Sequence, residues 1–137
     1  MSHAAPMQAI AGLEPADLRW RIDVDVLVVE FRGRRHTPDH MAACWRAVQA
    51  VAAEHRLAKV LAIDLMDDEP LTGEQRAAFI RHLGFELFEG RRWAYVARSA
   101  DRVGAYEATQ LDAQEQGLDI RVFGSMAEAE LWVRFSG

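Results

Sequence analysis

The chain has 137 residues and a mass of 15.4 kDa, one domain's length of polypeptide with room for a single core. Half of the residues are apolar, 27% are charged, and there are only nine Gly and four Pro, which excludes collagen-like, low-complexity and wholly disordered classes. A formal net charge of -5 argues against nucleic acid as a main partner, because phosphate binding favours a basic face.

Residues 1–17 carry Pro6, Gly12 and Pro15 without sustained periodicity and read as a flexible, loosely docked start to a domain spanning 18–137. Leu18 to Ile22 alternates apolar and basic residues, and Val26 to Arg32 is a β-branched run ending at Gly33. Joined by so short a loop, the two strands are expected to pair as an antiparallel hairpin. Thr37, Pro38 and Asp39 then make a helix start: a hydroxyl cap, a proline whose missing N–H costs nothing there, and an acid at the positive end of the dipole. Met41, Trp45, Val48 and Ala52 fall on one face of this helix, which is predicted to run to about Arg56.

Lys59 to Leu65 is almost continuously apolar, as a central strand covered on both faces should be, and Asp64 is the one acid inside it. Thr72 and Gln75 fit a capping box, Phe79, Leu83 and Leu87 mark a helical stripe, and Gly90 suits its left-handed stop. Arg92 to Ala97 is the next strand. Ser99 or Asp101 is positioned to cap a third helix through Tyr106 to Gln116, stopped by Gly117. Leu118 to Phe123 is the fifth strand, and Ser125 with Glu128 opens a last helix with Ala129, Trp132 and Val133 on its apolar side. The order β-β-α-β-α-β-α-β-α implies an α/β domain with a mostly parallel five-stranded sheet, repeated crossovers and an antiparallel first strand at or near an edge.

In open sheets of this kind, ligands bind where loops leave the carboxyl ends of the parallel strands. That rim collects Arg34, Arg35, His36, Asp64, Arg98, Ser99 and Ser125, together with helix N-termini suited to an anion. Asp64, Asp67 and Asp68 contain the carboxylates that Mg²⁺-dependent phosphoryl chemistry would use, but the spacing is one residue too long for an Asp-x-Asp nucleophile motif. His36 and His40 have a metal-ligand spacing without a third ligand nearby, so no metal or other cofactor is expected. Cys44 is the only cysteine; it permits no intramolecular disulfide and reads as a buried, inert thiol. Most aromatic residues, Phe135 among them, fall in phase with core faces, whereas Phe85 and Phe88 broaden the second helix's apolar surface towards a dimer contact or a lipid-facing groove. No basic-then-apolar leader opens the chain and no run is long enough to span a bilayer, so a cytoplasmic location is expected.

From Leu18 to Phe135 the pattern resembles the SpoIIAA-like superfamily, which includes the STAS domains of anti-anti-sigma factors and is related to the lipid-binding Sec14 (CRAL-TRIO) fold. The residues that carry the resemblance are Val-Val-Glu-Phe-Arg-Gly (28–33), Val-Leu-Ala-Ile-Asp-Leu (60–65) and Gly-Leu-Asp-Ile-Arg-Val-Phe-Gly-Ser-Met-Ala-Glu-Ala-Glu-Leu-Trp (117–132). It implies a small bacterial βα superhelix, no enzymatic reaction, and action through an unidentified protein partner or as a homodimer; the alternative is a carrier of an anionic, small-molecule or lipid ligand. In the anti-anti-sigma branch a Ser or Thr after the strand-ending Asp is phosphorylated. Thr72 is the nearest hydroxyl here, but that branch's Asp-Ser-x-Gly signature is missing and an acidic loop intervenes.

Overall fold

A computed structural model describes residues 8–9, 18–34, 37–67, 69 and 71–135. A two-residue strand, β1 (Gln8–Ala9), pairs antiparallel with β2 (Leu18–Asp23), and β2 pairs antiparallel with β3 (Val26–Phe31). β4 (Lys59–Asp64), β5 (Arg92–Val96) and β6 (Asp119–Phe123) follow in parallel, so the strands lie side by side in chain order. The five expected strands are all present with the expected directions. β1 is an addition within the stretch read as a loose start.

Between these strands run α1 (Pro38–Glu54), α2 (Gly73–Leu83) and α3 (Glu107–Glu115), and α4 (Met126–Phe135) closes the chain. Alternation along the strands divides the interior into two layers. Leu27, Val29, Val60, Ala62 and Trp93 face the first three helices, where Met41, Trp45, Val48 and Ala52 of α1 are buried as their spacing predicts. Val26, Val28, Leu61, Ile63, Ala94 and Val96 face the other way, against Ala129 and Val133 of α4. Because three successive crossovers cover one face while the strands advance in one direction, the chain winds in the same sense throughout. α4 alone lies behind the sheet.

α4 is held there by cations at its C-terminal carbonyls, which lack partners within the helix. Lys59 Nζ donates to Arg134 O at 2.9 Å and Arg92 Nη1 to Trp132 O at 3.0 Å, while Arg134 reaches back to Asp23 at 2.9 Å. The free side of β6 is closed differently: Val122 N–H donates to Gln110 Oε1 at 2.7 Å, and Gln114 Nε2 donates to Ile120 O at 3.2 Å. Two glutamines one turn apart on α3 thus take the place of a neighbouring strand.

Three local expectations need correction. The second helix ends at Leu83, because Gly84 adopts φ +85°, where a side chain is disfavoured; the chain then makes a 3-10 turn over Phe85–Phe88 instead of continuing to Gly90. The third helix is split into a 3-10 stretch, Ala100–Tyr106, and the α-helix proper. No residue of the 3-10 stretch is fully buried, so burial gives little reason to adopt regular α-helix there, and Gly104 disfavours it further. Phe135 is 78% exposed, because α4 turns Ala129 and Val133 inward and leaves Leu131 and Phe135 on its outer side. Among the described residues no helix is long and apolar enough to cross a membrane.

Candidate functional site

The split third helix has a spatial consequence. Only Ala113 of α3 is fully buried, and small Ala62 lies opposite on the sheet, so the layer above β4, β5 and β6 is incompletely filled. A cavity of about 120 Å³ results. Its floor includes Ala62, Trp93 and Tyr95; its walls come from Phe79 and Ile80 of α2, Phe85 and Phe88 of the 3-10 turn, and Thr109 and Ala113 of α3.

The walls on the α1 side are rigid. Trp45 packs on Phe31, Phe88, Trp93 and Tyr95 with ring centroids 4.7, 5.6, 5.8 and 6.2 Å away. Phe88 meets Trp93 edge-on at 5.0 Å, and the Trp93 indole N–H donates to Phe88 O at 2.9 Å, fastening the 3-10 turn to β5. Phe85 and Phe88, which the sequence left without clear partners, are therefore packed inward: Phe88 is buried and Phe85 rests half-buried against the same core.

Polar groups gather beside this chamber. Asp64, 1% exposed at the end of β4, accepts the Tyr95 hydroxyl on Oδ2 at 2.6 Å and the Met66 N–H on Oδ1 at 2.9 Å; the Tyr106 hydroxyl lies 3.4 Å from Oδ2. Burial, then the neighbouring Asp64 charge, raises the Tyr95 phenol well above its ordinary range. Tyr95 is nevertheless only half-buried as a whole residue, consistent with its place in the cavity wall. Arg76 of α2 stacks its guanidinium 5.5 Å from the centre of the Tyr106 ring and donates through Nη1 to Leu71 O. Its Nε is buried and has no hydrogen-bond partner among the described residues.

The described residues expected at the sheet rim lie along one border, since β3 to β6 are parallel, but they are engaged separately. Arg98 Nη1 donates to Leu65 O and Met66 O at 2.8 and 3.1 Å and lies 3.6 Å from Asp67, so it ties the loop after β4 to the end of β5. Ser99 precedes the 3-10 stretch, and its hydrogen bond to Asp101 lowers that exposed carboxyl's pKa. Ser125 Oγ accepts from Glu128 N–H at 3.4 Å. Thr72 sits in a complete capping box, accepting from Gln75 N–H at 3.2 Å. Arg34 is exposed, while Arg35, His36 and Asp68 lie outside the described residues. Among the described residues of the rim set, Asp64 alone is joined to the cavity's tyrosines.

Elsewhere, Cys44 is buried with its sulfur 3.7 Å from His40 Nε2. Among the described residues no three His, Cys, Asp or Glu side chains gather as metal ligands would. Sequence reasoning placed Tyr95 in the core without seeing its partner and passed over Arg76. The first was readable, because alternation puts Asp64 and Tyr95 on the same face of neighbouring parallel strands. No family model matches this chain, and no curated protein matches it.

Proposed function

We propose that this chain is a non-enzymatic, SpoIIAA-like module that takes up a small, largely apolar molecule between its sheet and its helices and works in the cytoplasm as a carrier or ligand-responsive regulator. One observation carries this reading: an aromatic-walled cavity of about 120 Å³ lies in the layer that should be the best packed. Side chains that face such a space lack packing partners on that side. A bound molecule supplies those contacts. In size the cavity suits one ring or a short branched chain, since a ~150 Å³ apolar cavity admits benzene.

Native mass spectrometry of the purified protein is expected to show a retained adduct of small mass, or uptake of added ethylbenzene. Thr109→Phe, which places a ring in the chamber, should abolish that uptake while the far-ultraviolet dichroism stays unchanged. Uptake by the variant equal to that of the parent would exclude this cavity as the site.

A second reading, self-association, is favoured by Leu131 and Phe135, 62% and 78% exposed one turn apart on the outer side of α4. The occupant is a second copy, whose antiparallel α4 would present the same pair across a two-fold axis. Light scattering should report a dimer that Phe135→Glu dissociates; a parent that stays monomeric as its concentration is raised rejects it.

A further inference from the structure

The cavity wall is chemically one-sided. Among the described residues that line it, Arg76 is the only one with a charged side chain. The other polar groups in the lining are largely committed: Gln110 accepts the Val122 N–H, and the Tyr95 hydroxyl donates to Asp64. Asp64 does not itself line the space, and its oxygens receive the Tyr95 hydroxyl and the Met66 N–H. A cationic ligand would therefore meet Arg76 without a carboxylate in the wall to offset it.

Arg76 has capacity to spare. Its Nη1 is used by Leu71 O and its face by the Tyr106 ring, while Nε has no hydrogen-bond partner among the described residues and is closed to water, so an acceptor in the chamber reaches the guanidinium edge only as the side chain turns towards it. A buried donor left without an acceptor is unfavourable, and a hydrogen bond from a guanidinium to a carboxylate is among the stronger ones available. We infer that the ligand is a small carboxylic acid, aromatic or branched, with its apolar body among Trp45, Phe79, Phe88 and Trp93 and its carboxylate on Arg76. This rests on the cavity-binding reading above and adds the head group to it.

Three probes of nearly the same shape separate the two ideas: phenylacetate, ethylbenzene and phenethylamine, titrated calorimetrically at low salt. Phenylacetate is expected to bind at least tenfold more tightly than ethylbenzene, and phenethylamine more weakly than either. Arg76→Gln should reduce phenylacetate affinity about tenfold and leave ethylbenzene within twofold. Arg76→Lys, which keeps the charge but not the planar fork, should fall between the parent and Arg76→Gln, and it serves as the test if Arg76→Gln does not fold. Equal affinities for the three probes, or a preference for the amine, overturn the carboxylate assignment and leave the cavity reading standing. Binding of none of the three by folded protein overturns both.

Discussion

Tyr95 donates its hydroxyl to Asp64 across 2.6 Å, from one central strand to the next, and the carboxylate that receives it is almost wholly enclosed. The pair stands beside the chamber and fixes one of its aromatic walls. Removing the donor leaves a buried acceptor short of a partner, so Tyr95→Phe is expected to lower stability at neutral pH by about 2 kcal/mol, measured by urea unfolding.

The same pair sets an alkaline limit. The Tyr95 phenol is raised above its unfolded value of about 10 by burial and by Asp64, so the protonated form is favoured by folding. That contribution is complete below pH ~10 and is lost as the pH rises beyond it, because the unfolded chain then releases a proton the folded chain retains. Melting temperatures taken from pH 9 to 11.5 should fall more steeply for the parent than for Tyr95→Phe. Parallel curves would show that Tyr95 ionises no differently in the folded chain.

The turn between β2 and β3 contains a residue ill suited to it. Val24 has φ +60° and is 87% exposed, so a β-branched side chain holds a left-handed conformation without packing gain. Two-residue hairpin turns with a positive first φ prefer glycine. Val24→Gly should therefore raise stability by about 0.5–1 kcal/mol, roughly 2–4 °C in melting temperature by calorimetry.

Gly124 has no such backbone demand but lacks space. A Cβ there would come within 2.9 Å of Ala100 Cα, a backbone atom at the start of the 3-10 stretch. Gly124→Ala is expected to cost about 1–3 kcal/mol. An unchanged urea midpoint would mean that the stretch moves aside freely.

Arg92 joins three elements: its Nε is 2.8 Å from Asp119, its Nη1 donates to the carbonyl of Trp132, and its guanidinium lies 4.5 Å from the Trp132 ring centre. Arg92→Met keeps the aliphatic stem and removes the donors. It should destabilise by about 1–2 kcal/mol and increase hydrogen exchange in α4 before other helices.

The strands and their two faces were legible because alternation and β-branched runs are local patterns, and the Met41–Trp45–Val48–Ala52 stripe was equally plain. Asp64 announced itself as the acid in an apolar run. What was hidden depends on competition between distant segments: Gly84 and Gly90 both suit a helix end, and the inward turn of Phe85 and Phe88 is fixed by a Trp93 hydrogen bond that no spacing reveals. Arg76 looked like any solvated helix residue. Its meaning comes from facing a void, which arises where Ala62, Ala113 and an interrupted third helix meet.

The glutamine pair over β6 has a bearing on how copies of this molecule coexist at high concentration. An incoming extended segment would need the Val122 amide and the Ile120 carbonyl, and both are already engaged by side chains anchored to α3. Fibril-like accretion along that margin therefore first requires displacing these two side chains. Gln110→Ala, by freeing the amide, would remove one of the two barriers to polymerisation there.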